Sequence, residues 1–418
     1  MGIITTATRM YLTRSLKPFT FIADDGCEIP DITTVEKPGL YVHIPFCRTI
    51  CNFCPYCKVL FDPEICRKYI DALKKEIVMV SSASDYPKEV SSLYFGGGSP
   101  ALAADSIGEI IETLKKYYRI TDGIGVELHP FDVNTETLLK LKNAGVNRIS
   151  IGIQSFQCKY QKILGRNQID VHKIKEILSE VKFETVSMDF IFALPGQTSD
   201  DLQDDIQMAF FCGANHVAIY PFIDFSFAPT SVKAMKKTEK RELLNEITEY
   251  FRSIDCHRDS IWTFAKSKEH KYSSMTRDNF IGFGCSATSL LKAQFKINTF
   301  SIEEYCKRIE NNKLPSALRC NFSLRQRMIY WLFWRAYTMR ISISDFEKYF
   351  NVPLKKIFGR EIKLAKLTGW ATEKDDILEL TDKGAFYFHY YEGFYTLSYI
   401  DKMWGIMKNQ PFPKGIKF

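Results

Sequence analysis

The chain has 418 residues, of which 45% are hydrophobic and 25% charged, a composition typical of a folded globular protein with room for one large domain and a smaller one. Its formal net charge of +7 is modest for this length. We therefore expect a small-molecule substrate, which could be anionic, and no nucleic-acid partner. No apolar run approaches the roughly 18 residues that a membrane-spanning helix needs, so no membrane span is expected.

The strand candidates are six short apolar runs, Leu40–Pro45, Ser92–Phe95, Gly125–Leu128, Arg148–Ile153, Val186–Phe192 and His216–Tyr220. Amphipathic helices are predicted between them at Ile65–Val80, Asp105–Tyr118, Thr135–Asn143, Val171–Val181 and Ser199–Phe211. Asn134, Asp170 and Ser199 are the candidate helix caps. Alternation of strands and helices predicts an α/β fold with a parallel sheet, here a partial (β/α)6 barrel, and places its chemistry at the carboxyl ends of the strands.

The pattern changes after about residue 315. Helices are predicted at Leu324–Met339, Ser342–Phe350, Leu354–Leu367 and Asp382–Tyr391, with a two-stranded wing formed by Trp370–Thr372 and Ile377–Leu380. This order describes a C-terminal helical, winged-helix-like domain. DNA binding is one function of that shape, but the helices are not unusually basic, so a lid or scaffold role is favoured. We divide the chain into an N-terminal arm (1–37), a catalytic domain (38–315) and the C-terminal domain (316–418).

Cysteine placement favours metal binding over disulfides. Four of the twelve cysteines lie close together at positions 47, 51, 54 and 57, and the other eight are scattered singly. Disulfide frameworks belong to short secreted chains, so this pattern predicts a metal site in a reducing cytoplasm. Cys47, Cys51 and Cys54 have C-x3-C-x2-C spacing, which would give a [4Fe–4S] cluster three thiolates and leave one iron without a protein ligand. A zinc site, or a ferredoxin-like C-x2-C-x2-C register ending at Cys57, are the alternatives.

A glycine-rich turn follows the second predicted strand, with the sequence Gly96-Gly97-Gly98-Ser99-Pro100. Glycines let the backbone approach a ligand closely and leave N–H groups exposed. Such a turn is weak evidence alone. One βα unit after a C-x3-C-x2-C loop, it indicates a cofactor site.

These motifs together resemble the radical S-adenosylmethionine (SAM) superfamily and, within it, the oxygen-independent coproporphyrinogen III oxidase-like family. The resemblance rests on Tyr41-Val-His-Ile-Pro-Phe-Cys47, Gly96–Pro100, Val126–Leu128, Arg148–Phe156, Gly165-Arg166, Met188–Phe190, Leu194–Thr198 and Gly282–Ser289. It implies a [4Fe–4S] cluster and SAM as cofactors, reductive cleavage of SAM, and a donor such as reduced flavodoxin or ferredoxin. We identify the chain as an atypical member.

The resemblance also implies roles for matching residues. Cys47, Cys51 and Cys54 would hold the cluster and are the catalytic residues. The SAM contacts would be Tyr41 at the adenosine, Gly96, Gly97, Gly98 and Ser99 at the amino-acid end, Glu127 and Gln154 at the ribose, Arg166 at the carboxylate, and Asp189 at the ribose or adenine. Arginine suits a carboxylate because its planar guanidinium binds both oxygens.

Two departures from the family leave the reaction open. A fourth cysteine would follow the third after one residue, but here Tyr56 stands there and Cys57 comes next, either as part of a second SAM site or as a bystander thiol. The haem chaperone signature is reduced to His270-Lys271-Tyr272, so His270 is a weak candidate for a haem or substrate contact. The hypotheses are radical oxidation of a tetrapyrrole-like or other unsaturated substrate, methyl transfer with two SAM molecules, and non-catalytic haem carriage.

Overall fold

A parallel sheet is the centre of the fold, in a computed structural model that describes residues 3–82, 87–226, 232–267 and 278–418. Its six strands in chain order, called here the first to sixth strands, are Gly39–Ile44, Leu93–Gly97, Ile124–Leu128, Arg148–Gln154, Thr185–Phe192 and His216–Pro221. Each pairs in parallel with the next. The α/β fold with a partial barrel is therefore confirmed, and each predicted strand lies within two residues of its expected ends.

Helices connect these strands because each linking segment has one apolar face that packs on the sheet. They are Pro63–Ser81, Ala104–Lys115, Thr135–Asn143, Val171–Glu180 and Ser199–Phe211, with a short helix at Cys158–Ile163. Asn134 and Asp170 cap their helices as predicted. Ser199 does not: Thr198 is the cap and accepts a hydrogen bond from the Asp201 amide, and Asp201 reciprocates in a capping box, so Ser199 is the first helical residue.

The sheet continues beyond both ends of the six-stranded unit. A seventh parallel strand, Phe280–Phe283, pairs with the first strand, and antiparallel strands extend from it and from the sixth strand to give fourteen in all. The added antiparallel strands are His257–Arg258, Thr263–Ala265, Thr288–Leu291, Gln294–Asn298, Ser316–Asn321, Thr20–Ala23 and Gly415–Lys417. The two outermost strands do not pair with each other within the described residues, so the barrel stays open.

The C-terminal region contains helices Leu324–Tyr337, Ile343–Phe350, Leu354–Leu367 and Asp382–Tyr395, then a π-helical turn Thr396–Ile400 and helix Asp401–Asn409. Its small sheet has three strands and not two, because Arg340–Ser342 adds to Ala371–Lys374 and Ile377–Leu380. The first three helices enclose a core of their own around Trp331 and Phe346. The last long helices pack instead on the main core, through residues such as Phe386 and Met407.

The remaining elements belong neither to the main sheet nor to the C-terminal region. They are helices Ile3–Thr13, Lys237–Ser253 and Ile302–Glu310, single turns Ile32–Thr34, Pro100–Ala103 and Pro130–Asp132, and short strands Phe46–Cys47, Val59–Leu60, Lys88–Val90 and Tyr118–Ile120. Within the described part of the chain, no helix combines the length and apolar character needed to cross a membrane.

Candidate functional site

The carboxyl ends of the six strands open into one cavity of about 1800 Å³. Most of the predicted site residues line it, namely Tyr41, Cys47, Cys51, Cys54, Cys57, Gly97, Gly98, Ser99, Glu127, Gln154, Arg166 and Asp189. Gly96 lies behind this surface, where an added Cβ would meet the Glu127 carboxyl at 3.1 Å. His270 lies outside the described residues. Residues separated by nearly 150 positions therefore meet because parallel strands end at one edge of the sheet.

The three motif cysteines lie on a loop whose two ends are joined by a pair of short strands. Strand Phe46–Cys47 pairs with Val59–Leu60, so both ends of the loop are held together. The Lys58 ammonium donates to the carbonyl oxygens of Cys51 (3.3 Å) and Cys54 (2.6 Å). No local sequence pattern indicates this lysine, which joins two parts of the loop through these hydrogen bonds.

The three thiols are close enough to affect one another. Burial raises the pKa of the Cys47 thiol to about 12, and the charges of Cys54 and Cys51 add to the effect. Sulfur ligands grouped in this way suit a thiophilic cation. The cation replaces the thiol protons, and its positive charge offsets the repulsion between the resulting thiolates. An added Cβ on Gly98 would lie 2.9 Å from the Cys47 sulfur, so glycine keeps the space beside that thiol open. The donor set fits an iron–sulfur cluster with three protein ligands.

The glycine turn supports the loop from the neighbouring strand. Gly97 has φ +123°, and an added Cβ would lie 2.7 Å from the His43 ring, so only glycine fits here without strain. The expectation that this turn exposes its N–H groups is wrong: Gly97 donates to Glu127, Gly98 to the Ile44 carbonyl, and Ser99 to the Phe46 carbonyl. These bonds fix the turn against the cysteine loop. Because these amides are already hydrogen-bonded, a ligand would fit against the shape of the turn and would not bind these amides.

Ser99 also directs its side chain into the protein. Its hydroxyl donates to Asp132 at 2.5 Å, and Asp132 accepts from Arg48 of the cysteine loop at 2.6 Å. Asp132 is 1% exposed. The carboxylate thereby joins the glycine turn to the cysteine loop, a role that no local sequence pattern indicates.

Two acidic side chains line the cavity, Glu127 from the third strand and Asp189 from the fifth. Glu127 accepts from the Tyr94 hydroxyl at 2.9 Å, and burial raises its pKa. Asp189 accepts from the Ser150 hydroxyl at 2.9 and 2.8 Å. Burial raises the pKa of Asp189 to about 7, and the nearby charge of Glu127 opposes its ionisation further. Buried carboxyls facing a cavity are suited to binding hydroxyl or amino groups of a ligand.

Arg166 and Gln154 complete this end of the cavity. The Arg166 guanidinium donates to the Gly152 carbonyl and lies 5.7 Å from the Phe53 ring of the cysteine loop. Its buried Nε atom has no hydrogen-bond partner within the described residues. Gln154 ends the fourth strand with φ +69°, a left-handed turn that bends the chain at the cavity rim. An arginine with an unused donor is a fitting anchor for a carboxylate.

Tyr41 and His43 occupy the first strand. Tyr41 stacks on Tyr94 with ring centroids 6.4 Å apart, and its hydroxyl lies 3.0 Å from His43 Nδ1. His43 was part of the predicted motif without an assigned role. Because strand residues two apart share a face, the strand pattern places the His43 side chain next to that of Tyr41.

The far half of the cavity differs in character from the half at the cysteine loop. Its walls are aromatic, with Trp262, Trp334, Tyr390 and Trp404 among them, and come from the sixth-strand region and the C-terminal helices. Trp404 reaches across to the cysteine loop, where its ring lies 5.7 Å from that of Tyr56. The C-terminal helices therefore form one wall of the cavity, and their lid or scaffold role stays a prediction.

Cationic side chains also line this far half. Lys240 lies 3.4 Å from the Phe222 carbonyl oxygen, and the Lys237 ammonium lies 3.6 Å from the Tyr390 ring centroid. Among the described residues, no carboxylate is within ion-pair distance of Lys237 or Lys240. Burial lowers the pKa of Lys240, so this ammonium would gain from an anionic partner.

His389 is a buried imidazole on the same wall. It packs edge-on against Trp262 with ring centroids 4.2 Å apart. Burial lowers its pKa to about 3, and the charge of Lys240 acts in the same direction. Its Nδ1 is buried and has no hydrogen-bond partner in the described structure. A neutral imidazole with an unused nitrogen can serve as a metal ligand.

Comparison with known proteins gives concordant results. The sequence model of the Radical SAM superfamily matches residues 41–209. A heme chaperone HemW from Bacillus subtilis is 27% identical over 66% of this chain and 76% of its own. An anaerobilin synthase from Escherichia coli O157:H7 is 27% identical over 84% of this chain and 82% of its own. A solved coproporphyrinogen III oxidase (HemN) from Escherichia coli has the same fold, with a TM-score of 0.72 and 21% identity over 85% of this chain and 89% of its own.

The matched segment 41–209 contains the cysteine loop, the glycine turn and both buried acids. Superfamily members use a [4Fe–4S] cluster and SAM, and the donor set described above fits both. The structural likeness extends past the matched segment into the C-terminal helices, because it covers 85% of the chain. Residues 41–209 therefore match the Radical SAM superfamily, and over most of its length the chain is similar to coproporphyrinogen III oxidase-like proteins and shares their fold.

Proposed function

We propose that this protein is a radical SAM enzyme that oxidises a carboxylate-bearing tetrapyrrole. The observation that carries the proposal is the single cavity of about 1800 Å³, which joins a three-thiol loop at one end to aromatic and cationic walls at the other. Ligand pockets commonly measure about 300–1,000 Å³, so this one has room for a cofactor and a large substrate together.

At the first end, Cys47, Cys51 and Cys54 would hold the cluster. Tyr41 would lie against the SAM adenosine, Glu127, Gln154 and Asp189 would bind its hydroxyl or amino groups, and the shape of the Gly97–Ser99 turn would receive its amino-acid end. Arg166 supports this arrangement because its buried Nε has no hydrogen-bond partner in the described part of the chain and could bind a carboxylate. When bound, cluster and SAM supply one-electron chemistry that removes a hydrogen atom from the substrate.

The chain's own residues would orient the two reactants and exclude water. Trp404 contacts Tyr56 on the cysteine loop and stacks near Phe225 at 6.5 Å, so the wall closes above the loop. Enclosure matters because a reactive radical abstracts hydrogen from any weak C–H or S–H bond that it reaches, so a closed site that holds the substrate nearest prevents side reactions.

At the second end, the aromatic rings offer flat faces to a conjugated macrocycle, and ring stacking adds to area burial. Lys237 and Lys240 would pair with its carboxylates, since neither ammonium has a carboxylate within ion-pair distance among the described residues. Charge-assisted hydrogen bonds of this kind are the strong ones in a partly desolvated site. A carboxylated tetrapyrrole satisfies both requirements, which is why we prefer it to other unsaturated substrates.

Haem carriage is the second candidate, and His389 is the observation that favours it. The unused nitrogen of a neutral, buried imidazole beside Trp262 could bind the iron of a haem. One relative is named a heme chaperone and another an anaerobilin synthase, so the names do not choose between carriage and catalysis. Methyl transfer gains no support from these relatives or from any contact described above.

The deciding experiment is anaerobic turnover of the reconstituted protein with SAM, reduced flavodoxin or ferredoxin as donor, and either coproporphyrinogen or haem. We expect 5′-deoxyadenosine to form together with a changed tetrapyrrole, and Cys47→Ala to abolish both. Cys66→Ala is the matched control, because this buried cysteine lies on helix Pro63–Ser81 outside the cavity.

Each outcome separates the candidates. A shifted Soret band without 5′-deoxyadenosine, lost in His389→Ala, would favour carriage over catalysis. S-adenosylhomocysteine formed beside 5′-deoxyadenosine would restore methyl transfer. SAM cleavage that persists in Cys47→Ala would overturn the radical SAM assignment altogether.

A further inference from the structure

Two thiols outside the cluster motif meet at the wall of the cavity. The sulfur atoms of Cys57 and Cys285 and a ring nitrogen of His43 all lie within 4.8 Å of one another. The Cys285 thiol hydrogen-bonds to Cys57, and the Cys57 sulfur lies 3.2 Å from the Phe300 carbonyl oxygen. Both cysteines are free, and they come from segments more than 200 residues apart.

The surroundings hold the Cys285 sulfur in place. The Cys285 backbone amide donates to the Tyr69 hydroxyl at 2.9 Å, and that hydroxyl donates to the His43 carbonyl at 2.7 Å. The flanking residues Gly284 and Ser286 have φ +99° and +56°, and the Gly284 amide donates to the buried Glu76 carboxylate at 2.7 Å. The segment is therefore fixed on both sides of the thiol.

A metal site is the first possibility that two sulfurs and a histidine raise, but the imidazole is already engaged. His43 Nε2 lies 3.0 Å from the Cys57 carbonyl oxygen, and a carbonyl only accepts, so Nε2 carries the hydrogen. Nδ1 then accepts from the Tyr41 hydroxyl at 3.0 Å. Neither nitrogen offers a lone pair to a metal, and two thiols alone do not make the four ligands of a structural zinc site.

The two thiols also differ in access. Cys57 lines the cavity and is 7% exposed, whereas Cys285 is fully buried behind it at 0%. The hydrogen bond from Cys285 and the nearby His43 ring lower the pKa of Cys57, and burial raises that of Cys285. An accessible, acidic thiol in front of a buried, less acidic one is the arrangement of an attacking and a resolving cysteine.

We propose that Cys57 and Cys285 form a redox-active pair that closes reversibly to a disulfide at the cavity wall. The Cys57 thiolate attacks one sulfur of a small disulfide such as glutathione disulfide and releases one glutathione. The Cys285 thiolate then attacks the Cys57 sulfur and releases the second glutathione. The two cysteines lose two electrons and two protons, and the glutathione disulfide is reduced to two thiols.

Closure would reach the cysteine loop. The sulfurs would draw together to about 2.05 Å from their present separation. Cys57 precedes Lys58, whose ammonium binds the Cys51 and Cys54 carbonyls. The oxidation state of the pair is thereby coupled to the position of the cluster-binding loop. The proposal does not depend on the proposed function, because thiol exchange needs neither SAM nor substrate.

The test uses the full chain, reconstituted with iron and sulfide and kept anaerobic, in a series of glutathione to glutathione disulfide ratios. Acid quenching, alkylation and peptide mapping by mass spectrometry then identify each disulfide. We expect a Cys57–Cys285 disulfide to form first and to disappear with dithiothreitol. Wild-type protein with both thiols still reduced across the series, or Cys57 joined to a different cysteine, would overturn the proposal.

Variants separate the two roles. Cys285→Ser should leave Cys57 trapped as a glutathione mixed disulfide, because nothing resolves it. Cys57→Ser should leave Cys285 unmodified, and Cys66→Ser should behave as wild type. Equal modification of Cys285 in Cys57→Ser would contradict the assigned order. Measurement of 5′-deoxyadenosine in the reduced wild-type sample reports the proposed function separately, so failure of one proposal is distinguishable from failure of the other.

Discussion

Asp189 shows at the level of one residue how the site departs from ordinary acid chemistry. Asp189 belongs to the fifth strand. Its carboxyl accepts hydrogen bonds from Ser150 and Ser187, and Glu127 is a charged neighbour. Burial raises its pKa to about 7 from a reference value of 3.8. Near neutral pH the side chain therefore exchanges between a hydrogen-bond donor and an acceptor, which allows it to match either a hydroxyl or an amine of a ligand.

The raised pKa predicts a pH-dependent cost in stability. Between pH 4 and 7 the folded chain keeps the Asp189 proton while the unfolded chain releases it, so this contribution to stability is lost as pH rises through about 7. Asp189→Asn removes the titration. We expect its free energy of unfolding, relative to wild type, to improve by about 1–3 kcal/mol between pH 4.5 and pH 8. Urea unfolding of the cluster-free protein at several pH values measures this difference.

A control with the opposite sign is available at Asp31. Hydrogen bonds from the Thr33 hydroxyl and amide lower the pKa of this exposed carboxyl, so its contribution to stability is gained as pH rises. That gain is confined to the acid range below the reference pKa of 3.8, so the stability of Asp31→Asn relative to wild type should stay nearly constant between pH 4.5 and pH 8. Parallel behaviour of the two variants would show that the Asp189 carboxyl is not buried as described.

At the level of elements, the cysteine loop depends on contacts from its own ends and from distant segments. The pairing of Phe46–Cys47 with Val59–Leu60 closes its base, and the Lys58 ammonium binds two carbonyls inside it. Arg48 ties it to Asp132 and, through that carboxylate, to Ser99 of the glycine turn. A loop so supported holds its thiols in place before any cofactor binds, which reduces the entropy lost on binding.

We predict that Lys58→Met weakens retention of the cluster. The variant keeps the apolar stem but loses two charge-assisted hydrogen bonds, each worth about 1.5–3 kcal/mol when the donor is ionised. Loss of iron to a chelator should become at least about tenfold faster, since about 1.4 kcal/mol corresponds to that factor. Visible absorbance of the cluster during chelation gives the rate.

Lys68→Met is the matched control, because Lys68 is an exposed lysine on helix Pro63–Ser81. It should lose iron at the wild-type rate. An unchanged rate in Lys58→Met would mean that the strand pairing and the Arg48–Asp132 contact hold the loop without this lysine. Lys58→Arg, which retains the charge and several donors, should recover part of the loss.

The main strands and helices could be predicted from sequence because each has a strong local pattern. The fifth strand, Thr185–Phe192, is a run of apolar and β-branched residues and was located to within one residue. Phe280–Phe283 was noted only as part of the glycine-rich Gly282–Ser289 motif and not as a strand, because glycine is unfavourable in strands. Its position is set by parallel pairing with the first strand, a contact across some 240 residues.

The residues of the candidate site form the same two groups, those that belong to a local sequence pattern and those that do not. Cys47, Glu127 and Asp189 belong to motifs whose spacing is visible in the chain. Lys58, Asp132 and His389 do not, since their roles arise only where separate segments meet. The amides of the glycine turn could not be assigned correctly either, because their acceptors lie on the first strand, the segment after it and Glu127.

On the scale of the whole molecule, the two ends of the chain meet in the sheet. Strand Thr20–Ala23 pairs with both Ser316–Asn321 and Gly415–Lys417. The last helices then return across the carboxyl ends of the parallel strands, and Trp404 reaches the cysteine loop. The cavity wall is thus assembled from the parallel strands and the C-terminal helices. The division at residues 37 and 315 stays a prediction.

This assembly predicts how the far half of the cavity should recognise its substrate. Lys237 and Lys240 lie on one helix, and neither has a carboxylate within ion-pair distance among the described residues. If they bind substrate carboxylates, then Lys237→Met with Lys240→Met should weaken binding of a carboxylated tetrapyrrole by about tenfold or more. Binding of the corresponding methyl ester should be nearly unchanged. Fluorescence or absorbance titration of the reduced, anaerobic protein measures both affinities.

Comparing acid and ester isolates the charge pairing from the contacts of the ring with Trp262 and Trp334. Lys142→Met with Lys173→Met, which neutralises two exposed lysines on other helices, controls for the change in net charge. It should affect neither ligand, because exposed charges that far apart are screened at physiological salt. Equal weakening of acid and ester in the Lys237 and Lys240 double variant would mean that these side chains shape the wall and do not pair with carboxylates.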